Sequence, residues 1–219
     1  MPSAIASARG TRPELPRRGQ AARGQDRPEQ VRTAALELFA AQGYPGTTVD
    51  EIGARVGIRG PSVYKHFRSK QELLADIVVG TTDALLAAQR AAVRAEGDVR
   101  EQLRRAVEAH VRFHADHPRE AFVAGREVDS LAEPHRSEVL RKRAEYERRL
   151  RRLVEGGVRD GVFAVGSPRL AAYAILDMGA GVAGWFRPGG PVGQDELATV
   201  YAEFALRLVG AKGSTRRPR

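Results

Sequence analysis

Hydrophobic residues between positions 28 and 210 recur every three or four residues, the spacing that places them on one face of an α-helix. No segment alternates apolar and polar residues between hairpin turns, as a half-buried β-strand would. No motif repeats at the period of a solenoid protein. The pattern therefore predicts an all-α fold of about nine helices.

Capping motifs predict where most of these helices begin. Four segments place Asp, Thr or Ser three residues before a Glu, and they start at Asp26, Thr48, Ser69 and Asp98. Ser167 precedes a proline at a first helical position, which marks a fifth start. With the glycines and prolines that end helices, these signals predict helices over 26–43, 48–56, 60–67, 69–96, 98–117, 118–131, 135–160, 168–186 and 194–210.

The predicted helices 48–56 and 60–67 are short and are separated by a turn at Gly57, as in a helix-turn-helix. In such a unit the second helix enters the major groove of DNA with its amino-terminal end towards the base edges. That end has the sequence Gly-Pro-Ser, whose small side chains allow the backbone to approach DNA. Val63 and Phe67 fall on the other face and are predicted to pack in the core.

Positive charge is concentrated around the same segment. The chain has a net charge of +9 and a pI near 10.5, which favours a polyanionic partner. Most of the basic residues are arginines, which is also typical of GC-rich coding, so the location of the charge is more informative than its total. Residues 57–70 contain four cations and no acid, namely Arg59, Lys65, Arg68 and Lys70. This favours DNA as the partner.

The segment "TTVDEIGARVGIRGPSVYKHFRSKQELL", with the preceding "RTAALELFAAQGYPG", resembles the DNA-binding domain of TetR/AcrR-type transcriptional regulators. The resemblance covers about residues 28–75 and includes the turn glycine and the Tyr-x-His-Phe-x-Ser-Lys run. It departs at Arg59, where a small capping Ser is usual. The resemblance implies base-reading residues at Arg59, Gly60, Pro61, Ser62 and Lys65, and phosphate contacts from Thr48, Tyr64, His66 and Lys70.

The same resemblance implies a division of the chain into functional parts. The larger carboxy-terminal part is expected to bind a small effector and to dimerise through its last two helices. The amino-terminal arm is rich in arginine and low in large apolar residues, so we expect it to be disordered and to add non-specific affinity for DNA. The predicted parts are a basic arm at 1–27, the DNA-binding module at 28–74, the ligand-binding and dimerisation domain at 75–210, and a basic tail at 211–219.

The hydrophobic pattern of the last two helices also favours a homodimer. Residues 170–186 are apolar on nearly every face and include small residues that permit close helix approach. A dimer about a two-fold axis would space two recognition helices about one DNA turn apart, so a palindromic double-stranded operator is predicted. The apolar stripe predicted on the last helix consists of Leu197, Val200, Tyr201, Phe204, Ala205 and Leu208.

Aromatic and polar residues on helices that should face one another are candidate ligand contacts. Arg126 stands among apolar residues and is expected to bind an anion. Two segments, "EVLRKRAEYERRLRRLVEGGVRDGVF" and "GWFRPGG", are more loosely similar to regulators that sense acyl-CoA thioesters. That similarity implies an acyl-CoA or another hydrophobic anion as effector. The candidates are His110, Phe113, His114, Phe122, Arg126, Tyr146, Met178 and Trp185.

Other chemistries have weaker support. His110, His114 and His117 share a helix face, so a helical metal-binding protein or enzyme is one alternative. The chain has no cysteine and no Gly-x-Ser-x-Gly motif. Its Gly-x-Gly-x-x-Gly match at 179–184 lies late in a predicted helix rather than after a strand. We therefore expect no catalytic residues, no bound metal and no cofactor, and do not expect an enzyme.

These features predict a DNA-binding transcriptional regulator, specifically a repressor that its effector releases from DNA. An activator or dual regulator is the alternative, since the sign of regulation depends on where the operator lies. No apolar run is long enough to span a bilayer, and the first 27 residues lack the apolar region of a secretory signal. The sequence therefore predicts no membrane association and a cytoplasmic location.

Overall fold

The computed structural model of the chain describes residues 27–93 and 97–211, and all regular structure within these ranges is helical. The predicted all-α fold is confirmed for these residues. None of their helices is both long and apolar enough to cross a membrane. In chain order the helices are α1 (Arg27–Gly46), α2 (Val49–Arg55), α3 (Gly60–Val63), α4 (Lys70–Val93), α5 (Val99–Asp116), α6 (Pro118–Arg126), a 3-10 helix (Val128–Ser130), α7 (His135–Arg159), α8 (Pro168–Ala180), α9 (Val182–Trp185) and α10 (Gln194–Leu208).

The predicted count of about nine α-helices is confirmed when α8 and α9 are taken as the single helix predicted over 168–186. Gly181 divides them, although its backbone stays in the right-handed helical region (φ −57°, ψ −23°). The predicted helix 118–131 ends earlier, at Arg126, and the 3-10 helix follows it. Apart from Arg27 and Ala211, the predicted arm 1–27 and tail 211–219 lie outside the described residues.

Side-chain caps fix several helix starts where the sequence predicts them. Asp98 Oδ1 accepts a hydrogen bond from Glu101 N at 2.9 Å and begins α5. At the start of α4, Ser69 Oγ accepts one from Glu72 N at 3.0 Å. The Glu72 carboxylate accepts from Arg68 N rather than from Ser69 N, so this box is displaced by one residue from the usual capping pattern.

Buried apolar residues form two clusters. The first combines α1–α4 with residues of α6 and α7, including Val123 and Val139. The second combines α5, the carboxy-terminal half of α7 and helices α8–α10. Because α6 contributes to the first cluster, the packing of the helix-turn-helix module depends on the position of α6.

Candidate DNA interface and ligand cavity

Helices α2 and α3 form the predicted helix-turn-helix. Thr48 caps α2, since its Oγ1 accepts a hydrogen bond from Glu51 N at 3.2 Å and Glu51 Oε2 accepts one from Thr48 N at 2.7 Å. The bond from the Thr48 backbone holds the pKa of Glu51 below its usual value. Gly57 turns the chain after α2 with a φ of 69°, a conformation that favours glycine.

Helix α3 is α-helical over only four residues, shorter than the predicted 60–67. The chain then continues in tight turns, in which His66 N donates to Val63 O at 2.9 Å. Val63 is buried and Phe67 is half-buried, and both pack in the first cluster with Ile52. The predicted inward face of this segment is therefore confirmed.

The outer side of this segment carries unpaired positive charge. Arg59, Lys65 and Arg68 are exposed, and none of them forms an ion pair with an acid in 27–93 or 97–211. The Arg59 side chain makes no capping bond to α3. Six of the nine predicted DNA contacts are exposed, namely Thr48, Arg59, Pro61, Tyr64, Lys65 and His66.

Gly60 is buried, in contrast to its neighbours. A Cβ atom at this position would lie 2.9 Å from Asp50 Cγ and 3.1 Å from Asp50 Cα. The glycine therefore allows the start of α3 to pack directly against α2. The sequence analysis explained Gly60 by close approach to DNA and did not include this contact between α2 and α3. Ser62, the other small residue predicted to read bases, is half-buried.

Lys70 makes contacts within the protein that the sequence did not predict. Its ammonium group donates to Tyr44 O at 2.9 Å and to Thr47 O at 2.7 Å. It also lies 4.2 Å from the centroid of the Tyr44 ring. Lys70 therefore holds residues 43–47 against the start of α4; this segment comprises the kinked end of α1, where Gly43 has a φ of 82°, and the turn into α2.

Glu127 connects the end of α6 to the same turn. It is 4% exposed, and its Oε1 accepts hydrogen bonds from Arg126 Nε at 2.9 Å and Tyr44 N at 3.3 Å. Its Oε2 accepts from Ser130 Oγ at 2.9 Å. Burial raises the pKa of Glu127, but these three hydrogen bonds outweigh it and leave the pKa below its usual value. Gln71 adds a further link, donating to Tyr44 Oη at 2.8 Å and Ser130 O at 2.7 Å.

A cavity of about 620 Å³ lies between helices α4–α9. Its wall is mainly apolar, as expected for a site that binds a small organic molecule. Five of the eight predicted ligand contacts line it, namely His110, Phe113, His114, Phe122 and Tyr146. The sequence missed the remaining lining residues, which are Thr81, Thr82, Leu85, Ala121, Ala124, Gly125, Arg143, Leu176, Asp177, Ala180, Gly181, Ala183 and Gly184.

Three predicted ligand contacts do not lie on the wall of this cavity. Arg126 pairs with the buried Glu127 instead of facing the cavity. Trp185, the last residue of α9, is 51% exposed. Met178 is half-buried, whereas its neighbours Leu176 and Asp177 line the cavity.

Tyr146, His110 and Leu176 form a buried chain of hydrogen bonds at the cavity wall. Since the Leu176 carbonyl can only accept, His110 Nε2 carries the proton and donates to it at 3.0 Å. His110 Nδ1 therefore accepts from Tyr146 Oη at 2.8 Å. Burial lowers the pKa of His110 to about 3 and raises the pKa of Tyr146, so both side chains are neutral near pH 7.

His114 is also neutral, because burial lowers its pKa. Its Nδ1 lies 2.9 Å from His110 O and donates to that carbonyl. His117, the third histidine of the predicted face, is exposed at the end of α5. Both ring nitrogens of His110 are occupied by hydrogen bonds, and the described residues contain no group of three potential metal ligands. The geometry therefore gives the metal-binding alternative no support.

Arg143 is the cationic lining residue that the sequence analysis overlooked. Its Nη2 donates to Ala124 O on α6, and burial lowers its pKa. Arg143 and Tyr146 are three residues apart and so share a face of α7. Since Tyr146 was a predicted ligand contact, this spacing could have indicated that Arg143 lies at the same site.

The predicted apolar stripe of α10 is divided between two faces in the structure. Leu197 and Ala205 are buried in the second core cluster, and Tyr201 packs against it. Val200, Phe204 and Leu208 are exposed, Phe204 by 44%. Leu170 and Tyr173 on α8 are exposed as well. The structure thus leaves apolar side chains of α8 and α10 facing solvent in a single chain.

Comparison with known proteins identifies the family. Residues 31–77 match the family described as "Bacterial regulatory proteins, tetR family". Residues 96–209, more than half of the chain, match "Tetracyclin repressor-like, C-terminal domain". The chain belongs to the TetR family. Proteins of this family are transcriptional regulators, so the prediction of a DNA-binding regulator is confirmed.

Individual TetR-family proteins extend this finding. The HTH-type transcriptional repressor KstR2 of Rhodococcus jostii (strain RHA1) is 33% identical over 175 residues, which are 78% of this chain and 85% of KstR2. The HTH-type transcriptional activator FasR of Mycolicibacterium smegmatis (strain ATCC 700084 / mc(2)155) is 36% identical over 118 residues. That match covers 54% of this chain and 53% of FasR, about half its length. A crystal structure of a tetR-family regulatory protein from Rhodococcus RHA1 has a TM-score of 0.77 at 33% identity, covering 84% of this chain and 97% of that one.

Proposed function

We propose that the protein is a homodimeric repressor that binds a palindromic operator and leaves it when a small hydrophobic anion enters the cavity. The observation that carries this proposal is the exposed, unpaired positive charge around α3. Arg59 and Lys65 have no acidic partner among the described residues, and the chain belongs to a family of DNA-binding regulators. The likeness to the repressor KstR2, which spans most of both chains, supports repression. The protein would act in the cytoplasm, where its operator is.

In this proposal the start of α3 contacts base edges in the major groove. Arg59 pairs with guanine, the most common specific contact of arginine, and Lys65 reaches a base or phosphate. Thr48, Tyr64 and His66 are exposed and carry groups that can bind phosphate oxygens. Lys70 contributes by fixing the turn before α2 rather than by direct contact, because two carbonyls already bind its ammonium group.

The exposed apolar residues of α8 and α10 form the proposed dimer interface. Two helices from each subunit would pack about a two-fold axis and cover these side chains. The interface would hold the two α3 segments about one DNA turn apart. An effector bound better by a different conformer would shift the population away from that spacing.

Charge reversal tests the proposed interface. The double variant Arg59→Glu, Lys65→Glu should weaken binding to DNA flanking the protein's own gene by at least about 30-fold, since each specific contact contributes about 1–3 kcal/mol. Arg141→Glu is the matched control, because Arg141 is exposed on α7, outside the helix-turn-helix. A gel-shift titration at fixed salt measures both. Equal affinity of the double variant and the wild type would reject the proposal.

An activator is the second candidate, because FasR is named as one and is 36% identical over the aligned 118 residues. Transcription in vitro from a promoter that contains the operator separates the two. A repressor lowers transcript yield when the protein is added, and an activator raises it.

A further inference from the structure

The cavity wall contains a guanidinium group, that of Arg143, which forms no ion pair with a carboxylate in the described residues 27–93 and 97–211. Arg143 lines the wall, and burial disfavours its charged form, as the lowered pKa shows. Its Nη2 donates a hydrogen bond to the neutral carbonyl of Ala124. Asp129 acts on it electrostatically, but that carboxylate is exposed and pairs with Arg136 at 3.0 Å. A cation withdrawn from water without a carboxylate partner is stabilised strongly by an incoming anion.

The remaining polar groups of the wall do not compete for that anion. His110, His114 and Tyr146 are neutral near pH 7, so they add no second positive charge. Asp177 is the lining carboxylate, and it is exposed to solvent. Thr81 and Thr82 donate their hydroxyl protons to carbonyls of their own helix. The recognition of charge inside the cavity therefore depends on Arg143.

The size of the cavity limits the ligand. At about 30 Å³ for each non-hydrogen atom, the liquid volume of one water molecule, 620 Å³ holds roughly twenty such atoms. An apolar body with one acidic group is of this size. The nucleotide of a coenzyme A thioester is not, and it would remain outside. A thioester carbonyl carries no charge, so it would leave Arg143 without an ionic partner.

We infer that Arg143 determines the specificity of the cavity, pairing with the acidic group of a free organic acid of roughly twenty non-hydrogen atoms. The inference rests on the proposed function for the existence of an effector. It narrows the hydrophobic anions proposed above to free acids and excludes their coenzyme A thioesters as the preferred ligand. A planar guanidinium binds a carboxylate through two parallel hydrogen bonds, a geometry that lysine does not reproduce.

Ligand-binding calorimetry on the full-length protein tests the inference. The probes are carboxylates with about 12 to 18 carbon atoms, straight-chain and polycyclic, chosen to fit the volume limit. Each is compared with the corresponding alcohol and coenzyme A thioester. The variants are Arg143→Met, which keeps length without charge, and Arg143→Lys, which keeps charge without the planar fork. Arg141→Met is the matched control, since Arg141 is exposed on the same helix.

At least one carboxylate should bind the wild type and the Arg141→Met control equally. Its affinity should fall about 10- to 100-fold in Arg143→Met and by a smaller factor in Arg143→Lys. The alcohol should bind weakly and with the same affinity to wild type and Arg143→Met. Circular dichroism and operator binding without ligand confirm that each variant is folded.

Two results would overturn the inference. One is a thioester that binds the wild type more tightly than its free acid does. The other is a panel in which no carboxylate binds, or in which carboxylate affinity is the same in Arg143→Met. Neither result would affect the proposed DNA binding, because operator affinity is measured in the absence of probes.

Discussion

Gly179 allows α8 to approach the ring of His110 more closely than any residue with a side chain could. A Cβ atom at this position would lie 2.8 Å from His110 Nε2 and closer still to Cδ2. The same ring donates to Leu176 O and accepts from Tyr146. The glycine that begins the Gly-x-Gly-x-x-Gly match is thus explained by close packing.

We expect Gly179→Ala to lower the free energy of unfolding by about 1–3 kcal/mol, because the added methyl group displaces the His110 ring from its hydrogen bonds. Gly80→Ala is the control. Gly80 is exposed within α4 and has open space around it, so alanine should raise the free energy of unfolding by about 0.5–1 kcal/mol. Denaturant unfolding at one protein concentration measures both. Similar changes in the two variants would contradict this explanation.

His110 also makes stability depend on pH. Its pKa is about 3 in the folded chain and 6.5 when unperturbed, so between these values the unfolded chain binds a proton that the folded chain does not. The contribution of His110 to the free energy of unfolding is therefore fully present above about pH 6.5 and decreases as the pH falls below that value.

Replacing His110 removes this pH dependence. Between pH 7 and pH 5 the wild type should lose about 2 kcal/mol more of its free energy of unfolding than His110→Gln does. Denaturant unfolding at the two pH values gives the difference. A variant that loses as much as the wild type would show that another group is responsible.

At the scale of elements, α10 has two apolar faces with different partners. Leu197 and Ala205 face the second core, whereas Val200, Phe204 and Leu208 face solvent. The exposed set is spaced by four residues and forms one stripe. Such an exposed stripe is expected to be covered by a second subunit.

Acidic residues on this stripe should separate the proposed dimer. We expect Phe204→Glu, Leu208→Glu to sediment as a monomer and to lose most of its operator affinity, because two half-sites are no longer bound together. Leu140→Glu is the control, since Leu140 is an exposed apolar residue on α7, outside α8 and α10. Sedimentation velocity measures the mass of each. A double variant that remains dimeric would place the interface elsewhere.

At the scale of the whole molecule, α6 connects the cavity to the helix-turn-helix. Arg143 donates to Ala124 O on α6, and an acid bound to Arg143 would compete for that guanidinium. Immediately after α6, Glu127 accepts a hydrogen bond from Tyr44 N. Tyr44 lies in the turn that Lys70 holds just before α2. We therefore expect a shift of α6 to change the position of α2.

Glu127→Gln should uncouple the two sites, because a neutral amide makes weaker bonds to Arg126 and Tyr44. In the wild type a bound acid should lower operator affinity by about 5- to 150-fold. In the variant the ratio of operator affinities without and with the acid should approach one. Its affinity for the acid should stay within about threefold of the wild-type value. Glu138→Gln on α7 is the control. Fluorescence anisotropy with labelled operator, with and without the acid, gives the ratios. A ratio equal to the wild-type value would contradict the connection.

The sequence by itself determined the helical class, the starts of most helices and the helix-turn-helix. These features follow from local physics. A capping box such as Thr48 with Glu51 satisfies backbone groups within four residues, and the inward positions of Val63 and Phe67 follow from helical periodicity. The exposed charge at Arg59 and Lys65 could also be predicted, because no acid lies near them in the sequence.

Only the tertiary structure decided which arginine meets the cavity. Arg126 pairs with its chain neighbour Glu127, whereas Arg143 of α7 lies in the cavity wall and donates to Ala124 O on α6. It also decided that Lys70 holds a turn and that the stripe of α10 divides into a core face and an exposed face. The reason is that pairing and burial depend on residues brought together from distant helices, and periodicity within one helix does not specify its neighbours.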